Sequence, residues 1–323
     1  MAIRYKEWAE YEKVYSADLT ALANNGAVEV DTIVEMDALW TSHPDINVVY
    51  CVEDQYLYIR KDYGFEQVEA GPGAVRIELS GDGTGAATTS LKELNYNGSL
   101  YHVYTFLGND TFTVLDPGVE VDLLLVSGGG GGAHQNGSHA AGNGGGGGTR
   151  KVDAVTLQPG LYTVAIGGGA GGWPNGNEGG RTTLVKDGGT TLYNPRGGGG
   201  GGYTYGYGER TRGFDGGSGG GAGDGASPPG AGTPGEGQPG SGISGGGAGP
   251  TYGQGGQGSP LILNGWRADA VGNNIQFEVA KHYYRTNTPA PANTGWGGSS
   301  GVGHDQGGHA GGSGLFVMRR KIK

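Results

Sequence analysis

The chain has 323 residues, 16% of them charged, a formal net charge of −10 at pH 7, and one cysteine, Cys51. A single thiol excludes a disulfide framework and a cysteine-based metal site. No run approaches the ~18 apolar residues of a spanning helix, and the opening MAIRYKEWAEYEK has no apolar stretch of the kind a secretory signal carries, so neither is expected.

Charge is uneven along the chain. Residues 1–127 hold 7 Lys/Arg against 21 Asp/Glu, whereas residues 128–323 hold 14 against 10, an excess matched by the closing RRKIK. A basic nucleic-acid face is therefore not expected. Residues 1–25 read as a short amphipathic helix, with Tyr5, Trp8, Tyr11 and Tyr15 at helical spacing, Leu19 and Leu22 following, and Asn24-Asn25-Gly26 as the stop. Such a helix is marginal alone, so it packs on its own chain or on a neighbouring subunit. Residues 28–68 read as a small β-rich module with a helix at Val34–Trp40. Strands follow at Asn47–Val52, which carries Cys51 as a buried residue, and at Gln55–Arg60. Glu53-Asp54 forms the tight turn between them. Residues 71–98 read as a connector. Strands are then expected at Leu100–Leu107, at the following TFTVLDPG with its Pro117-Gly118 turn, and at Val121–Val126, Leu161–Ile166 and Leu315–Met318. The expected division is an N-terminal attachment region, 1–98, and a glycine-rich domain, 99–323.

Of the 75 glycines, 65 fall between Gly128 and Gly314. Glycine loses the most backbone entropy on ordering and brings no side chain to a core. Such a stretch is either disordered or held by backbone packing that admits no side chain. Interleaved strands and aromatics, among them Trp173, Trp266, Trp296 and Phe214, argue against a flexible linker. Irregular glycine spacing, and a five-residue repeat from Gly230 to Ser244, exclude a collagen triple helix there. What remains is a bundle of polyglycine II helices: three residues per turn, no internal hydrogen bonds, and backbone groups turned outward to neighbours. The expected fold is mainly β with a polyglycine II bundle, preceded by small α+β modules. Loops joining the helices gather at the bundle ends.

Four blocks carry a resemblance: YTFLGNDTFTVLDPGVEVDLLLVSGGGGG, LQPGLYTVAIGGGAGG, NEGGRTTLV and GGHAGGSGLFVMRR, in that order between Tyr104 and Arg320. This pattern resembles the glycine-rich domains of bacteriophage tail-fibre and adhesin proteins, and is similar to the tail-tip adhesins of T4-like phages. The YLYIR run at Tyr56–Arg60 with Gly64-Phe65 also looks like a hairpin of phage fibre proteins. The resemblance implies a receptor-binding protein of the virion, at the tail fibre or tail tip, made in the host cytoplasm. Its implied partners are a host receptor (glycan or outer-membrane protein) and other tail or fibre proteins through the N-terminal region, with a homotrimer as one arrangement. Neither nucleic-acid binding nor membrane insertion is expected. A virion spacer is the competing expectation.

The inserts implied to meet the receptor are Ala133–Asn143, Trp173–Glu178, Tyr203–Phe214, Ser259–Trp296 and Val302–Gln306. Within them the candidate contacts are Trp173, Asn175, Tyr203, Tyr205, Tyr207, Arg210, Arg212, Tyr283, Tyr284 and Trp296. Tyr and Trp supply rigid contact area, and Asn adaptable hydrogen bonds. Tyr203, Tyr205 and Tyr207 share one face if extended; capping of the bundle edge is the alternative for them. Arg210 and Arg212 suit phosphate or carboxylate. Trp173 is expected exposed, and Trp266, after the apolar Leu261–Leu263, buried.

Catalytic signatures are missing. No P-loop or zincin motif occurs, and the G-x-G-x-x-G matches follow from composition and open no helix. No acid pair for glycan cleavage stands out. His304, Asp305 and His309, and the pair His134 and His139, have no helix to align them on a metal. No enzymatic activity, cofactor or metal is expected.

Overall fold

The computed structural model describes residues 4–6, 27–30, 48–51, 56–61, 64–68 and 77–79. It also describes residues 89–322 apart from 116–117, 135–139, 173–175, 206–208, 211, 224–226, 249–258, 270, 282–287 and 302–306. The chain divides into two compact units, Met1–Ile77 and Glu78–Lys323.

The first unit holds one five-stranded sheet of β1 (Arg4–Lys6), β2 (Ala27–Val30), β3 (Val48–Cys51), β4 (Tyr56–Lys61) and β5 (Gly64–Val68), in that spatial order. β2 and β3 run parallel and the other neighbours antiparallel. The β3–β4 hairpin forms where the alternating Tyr56–Arg60 run placed it, with Val48 opposite Ile59 and Cys51 opposite Tyr56. The helix expected over residues 1–25 is corrected at its start: Arg4, Tyr5 and Lys6 pair with Glu29, Val28 and Ala27. A sheet neighbour satisfies these backbone groups, whereas a short isolated helix scarcely repays its nucleation. The rest of that segment, and the helix expected at Val34–Trp40, lie outside the described residues.

In chain order the later strands are β6 (Ile77–Leu79), at which the division falls, β7 (Thr89–Tyr96), β8 (Ser99–Phe106), β9 (Asp110–Val114), β10 (Val119–Val126), β11 (Thr149–Leu157) and β12 (Gly160–Ala165). They continue with β13 (Thr183–Lys186), β14 (Thr190–Tyr193), β15 (Thr204–Tyr205), β16 (Glu209–Arg210), β17 (Leu261–Leu263), β18 (Phe277–Val279) and β19 (Leu315–Lys321). Two five-stranded sheets result, ordered β11-β10-β19-β8-β7 and β14-β13-β12-β9-β6. The stretch read as a connector, 71–98, thus supplies β6 and β7. β7 pairs with β8 along its whole length across Asn97 and Gly98, whose φ values of 50° and 73° meet the left-handed demand of a two-residue hairpin turn.

The sheets meet through an aromatic core. Phe106 and Phe316 of the first face Phe112 and Tyr162 of the second, with centroids 5.8 Å apart for Phe106–Phe112 and 5.0 Å for the stacked Phe112–Tyr162 pair. The buried Tyr162 ring keeps its hydroxyl satisfied: it donates to the Gln158 carbonyl (2.7 Å) and accepts from the Gln158 N–H (3.1 Å). The other face of the first sheet is also buried, with Leu124, Val126, Leu315 and Val317 packed on Leu263, Trp266 and Val279 of the β17–β18 insert. Burial on both faces explains why β10 and β19 read as near-continuous apolar runs, VDLLLV and LFVM, rather than alternating ones. Arg319 ties the insert down. Its Nε lies 2.8 Å from the Asp122 carboxylate, Nη1 donates to the Gly265 carbonyl (2.6 Å), and the guanidinium sits 4.3 Å from the Trp266 ring centroid.

Beyond the strand ends lies a lattice of glycine runs with neither helix nor sheet ladder. Runs 127–133, 167–172 and 196–202 follow β10, β12 and β14, whereas runs 142–148, 176–182 and 308–314 lead into β11, β13 and β19. Run 127–133 lies inside. Its N–H groups donate in rotation, at 2.9–3.0 Å, to three neighbours: Ser127, Gly130 and Ala133 to Gly148, Gly145 and Gly142; Gly128 and Gly131 to Gly180 and Asn177; Gly129 and Gly132 to Gly312 and His309. Partner numbers fall by three as donor numbers rise by three, so all three neighbours are antiparallel. Three further runs donate to its carbonyls: Gly198 and Gly201 to Gly128 and Gly131, Gly298 and Gly301 to Gly130 and Ala133, and Ala170 to Gly129. One run therefore has six neighbours.

The spacing leaves no room for side chains. A Cβ at any of Gly128–Gly132 would fall closer than 3.0 Å to backbone of an adjacent run. Where the lattice does hold polar side chains, they replace backbone partners. Ser127 Oγ donates to the Pro195 carbonyl (2.7 Å) and accepts from the Thr182 N–H (3.0 Å). Asn143 Nδ2 donates to the Ile243 carbonyl (3.1 Å) while its Oδ1 accepts from the Ser300 N–H (2.7 Å).

Candidate functional site

The lattice register fixes where the connecting segments attach. At the end of the lattice away from the strands, Ala133 donates to Gly142, Gly142 to Gly202, Gly202 to Gly221, and Gly301 to Ala133. Within one rung of these, Gly176 donates to Gly201 and Gly132 to His309. The anchors of segments 134–141, 173–175, 203–212, 223–229 and 302–306 are thus cross-linked at a single end. Four of these lie in inserts singled out from sequence. Segment 223–229 was missed, although Pro228-Pro229 breaks the glycine pattern there and was the available signal.

Two anchors are joined by side chains: Tyr203, half-buried, stacks on the buried His134 ring with centroids 6.1 Å apart. Tyr205 and Arg210 lie in the short β15–β16 hairpin, opposite Glu209 and Thr204 respectively. Arg212 is exposed, and its guanidinium is engaged internally, with Nη2 donating to Asp215 (2.5 Å) and Nε to the Gly213 carbonyl (3.3 Å). The Ala231 N–H bonded to Asp215, and then the Arg212 guanidinium, hold that carboxyl below its ordinary range. At the strand end of the lattice, Arg196 grips Glu178 through Nε (2.7 Å) and Nη2 (3.0 Å), fastening two neighbouring runs to each other.

Trp296 is not brought to the cross-linked end. Its carbonyl accepts from Gly312, in the same row as Gly129 and five residues before Gly301. Its indole Nε1 donates to the Glu278 carbonyl (3.3 Å), and the Lys281 ammonium lies 5.2 Å from its ring centroid. Within the described part of the Ser259–Trp296 insert, Leu263, Trp266 and Val279 pack on the first sheet while Ile262, Val271 and Ile275 are exposed, and Trp266, expected buried, is 2% exposed. Trp173, Asn175, Tyr207, Tyr283 and Tyr284 lie outside the described residues. Among the described residues no group of three or more His, Cys, Asp or Glu is arranged to hold a metal ion.

A protein-family model described as a glycine-rich domain matches residues 105–321. The chain belongs to that family. The matched span begins within β8 and ends on the last residue of β19, so in this protein the glycine-rich domain takes in the lattice and the strands that feed it, but neither β7 nor the first unit. No curated protein matches the chain.

Proposed function

We propose that this protein is a non-enzymatic attachment protein of a bacteriophage virion, at a tail fibre or tail tip. In this reading it recognises the host surface, a glycan or an outer-membrane protein, through the segments anchored at the far end of its glycine lattice. The lattice is read as a polyglycine II bundle. Rotation of the donors of run 127–133 through three neighbours, with partners stepping by three, supports a three-residue turn. The observation that carries the functional reading is the gathering of five loop anchors at one end. Gly128–Gly132, enclosed by six neighbouring runs, cannot accept side chains, so variation is confined to the segments at the ends of the run. A rigid base lowers the ordering cost of recognition by such segments. Their Tyr, Asn, Ser and Gly content suits adaptable contact. The acidic N-terminal part would then join the protein to other virion proteins, with a homotrimer as one assembly.

A spacer role is the second reading, favoured by the internal engagement of Arg212 and Trp296. Addition of the purified full-length chain to host cells separates the two. Saturable binding that blocks adsorption of the phage supports attachment; a folded chain that neither binds nor blocks refutes it.

A further inference from the structure

Residues 308–322 include β19, the central strand of the sheet ordered β11-β10-β19-β8-β7. β19 lies between β10, with Asp122–Val126 opposite Arg319–Leu315, and β8, with Phe106–Tyr101 opposite Phe316–Lys321. β8 and β10 do not pair with each other, and β9, which connects them in sequence, belongs to the other sheet. The two strands are therefore the walls of a slot one strand wide. Its floor and roof are apolar as well. Phe316 lies 5.2 Å from Phe106 and 6.5 Å from Phe112 in the core between the sheets, while Leu315 and Val317 enter the opposite core beside Trp266.

The preceding residues, partly exposed at 308–311, bond to neighbouring runs of the lattice. His309 and Gly312 donate to Ser299 and Trp296, Gly311 and Gly314 donate to Ala170 and Gly167, and the carbonyls of His309 and Gly312 accept from Gly132 and Gly129. Beyond β19, the Ile322 N–H donates to the Leu100 carbonyl (2.8 Å). Removal of this segment leaves β8 and β10 each with an unpaired edge, opens both cores, and strips the inner glycine run of one of its six neighbours. Backbone groups left buried and unpaired at such places are destabilising, and open strand edges are templates for pairing with another chain.

We propose that residues 308–322 form a closing segment on which the folded state of the second unit depends. The slot they fill accepts the same segment supplied by a separate molecule. Folding is then conditional on the presence of residues 308–322, because they join both sheet and lattice. A chain stopped short of them presents a slot that a second copy's C-terminal segment fits. This inference does not rest on the attachment reading.

The test uses the full-length chain with its own segment disabled by Val317→Pro, since a central strand does not tolerate proline. Amide exchange is followed by mass spectrometry after refolding, with and without a synthetic peptide of residues 307–323. The expected result is a loss of protection in β8, β10 and run 127–133 together, by roughly a hundredfold in exchange rate. The native peptide restores it and co-purifies one to one, and a peptide carrying Val317→Pro does neither. Two results overturn the proposal: full protection of β8, β10 and run 127–133 in Val317→Pro without peptide, or loss of protection that excess native peptide does not restore.

Discussion

Gly131 and Gly171 touch across one contact but stand on opposite sides of it. A Cβ on Gly131 would point into the Gly171 carbonyl, well inside 3.0 Å, whereas a Cβ on Gly171 meets nothing within 4 Å. To reach ordinary contact in Gly131→Ala, the two runs must part by roughly 1 Å or more. That displacement loosens the hydrogen bond that joins the two runs, Ala170 N–H to Gly129 (3.0 Å), and the one that the shifted Gly171 carbonyl accepts from Asn177 N–H (3.3 Å). Two bonds at ~1 kcal/mol each, with overpacking at about 1–3 kcal/mol, give a loss of about 3–5 kcal/mol. For a unit of this size, each kcal/mol shifts the unfolding midpoint by ~2–4 °C, so Gly131→Ala lowers Tm by about 6–20 °C. Gly171→Ala keeps a backbone conformation open to alanine and restricts the unfolded chain, a gain of about 0.4–1 kcal/mol. Scanning calorimetry of the two full-length variants reads both effects. Equal Tm values for Gly131→Ala and Gly171→Ala would refute the lattice geometry.

Three other substitutions probe its surroundings. Arg319→Lys gives up the fork shared between Asp122 and Gly265 and the stack on Trp266, and lowers stability by about 1–3 kcal/mol in urea denaturation with the slope unchanged. Ala154 has a φ of 54° at the β10–β11 irregularity, so Ala154→Gly matches or exceeds the native chain by up to ~1 kcal/mol while Ala154→Val costs about 1–2 kcal/mol; the reverse order contradicts the left-handed backbone there. Asp215 has its folded-state pKa depressed, so its contribution is present above the unfolded value near ~3.9 and is lost as pH falls through the lower folded value. The Tm gap between the native chain and Asp215→Asn is therefore wide at pH ~6 and narrows below pH ~4; a gap that does not change with pH would count against the Ala231 and Arg212 bonds.

Sequence patterns carried the strands whose residues pack on both sides. VDLLLV and LFVM are apolar enough to locate β10 and β19 without knowledge of their partners. β7 was hidden because TSLKELNY is an edge strand with mostly exposed residues, although the Asn97-Gly98 pair was a hairpin signal in plain view. The tyrosine spacing from Tyr5 suggested a helix because periodicity cannot weigh a β-partner more than twenty residues away. Within the glycine stretch, the residue type shows only that side chains are missing. Which glycines are enclosed, such as Gly131, and which face outward, such as Gly171, depends on neighbours from all along the second unit. The same limit governs the candidate site. Burial of Trp266 follows from the apolar run before it and the Arg212–Asp215 pair is local, three residues apart, whereas the Trp296 contact with Glu278 depends on a chain return that no local pattern records.

Recognition at the cross-linked end of the lattice is what separates an attachment protein from a spacer. Its most direct measurement is the adsorption of phage to host cells preincubated with the full-length chain or with a Tyr205→Ala/Tyr207→Ala double variant of matching Tm. The account predicts saturable blocking by the native chain and a weakening of the variant's half-blocking concentration by at least roughly tenfold, about 1.4 kcal/mol. Equal blocking by both proteins would place recognition elsewhere on the chain, and no blocking by either would contradict attachment altogether.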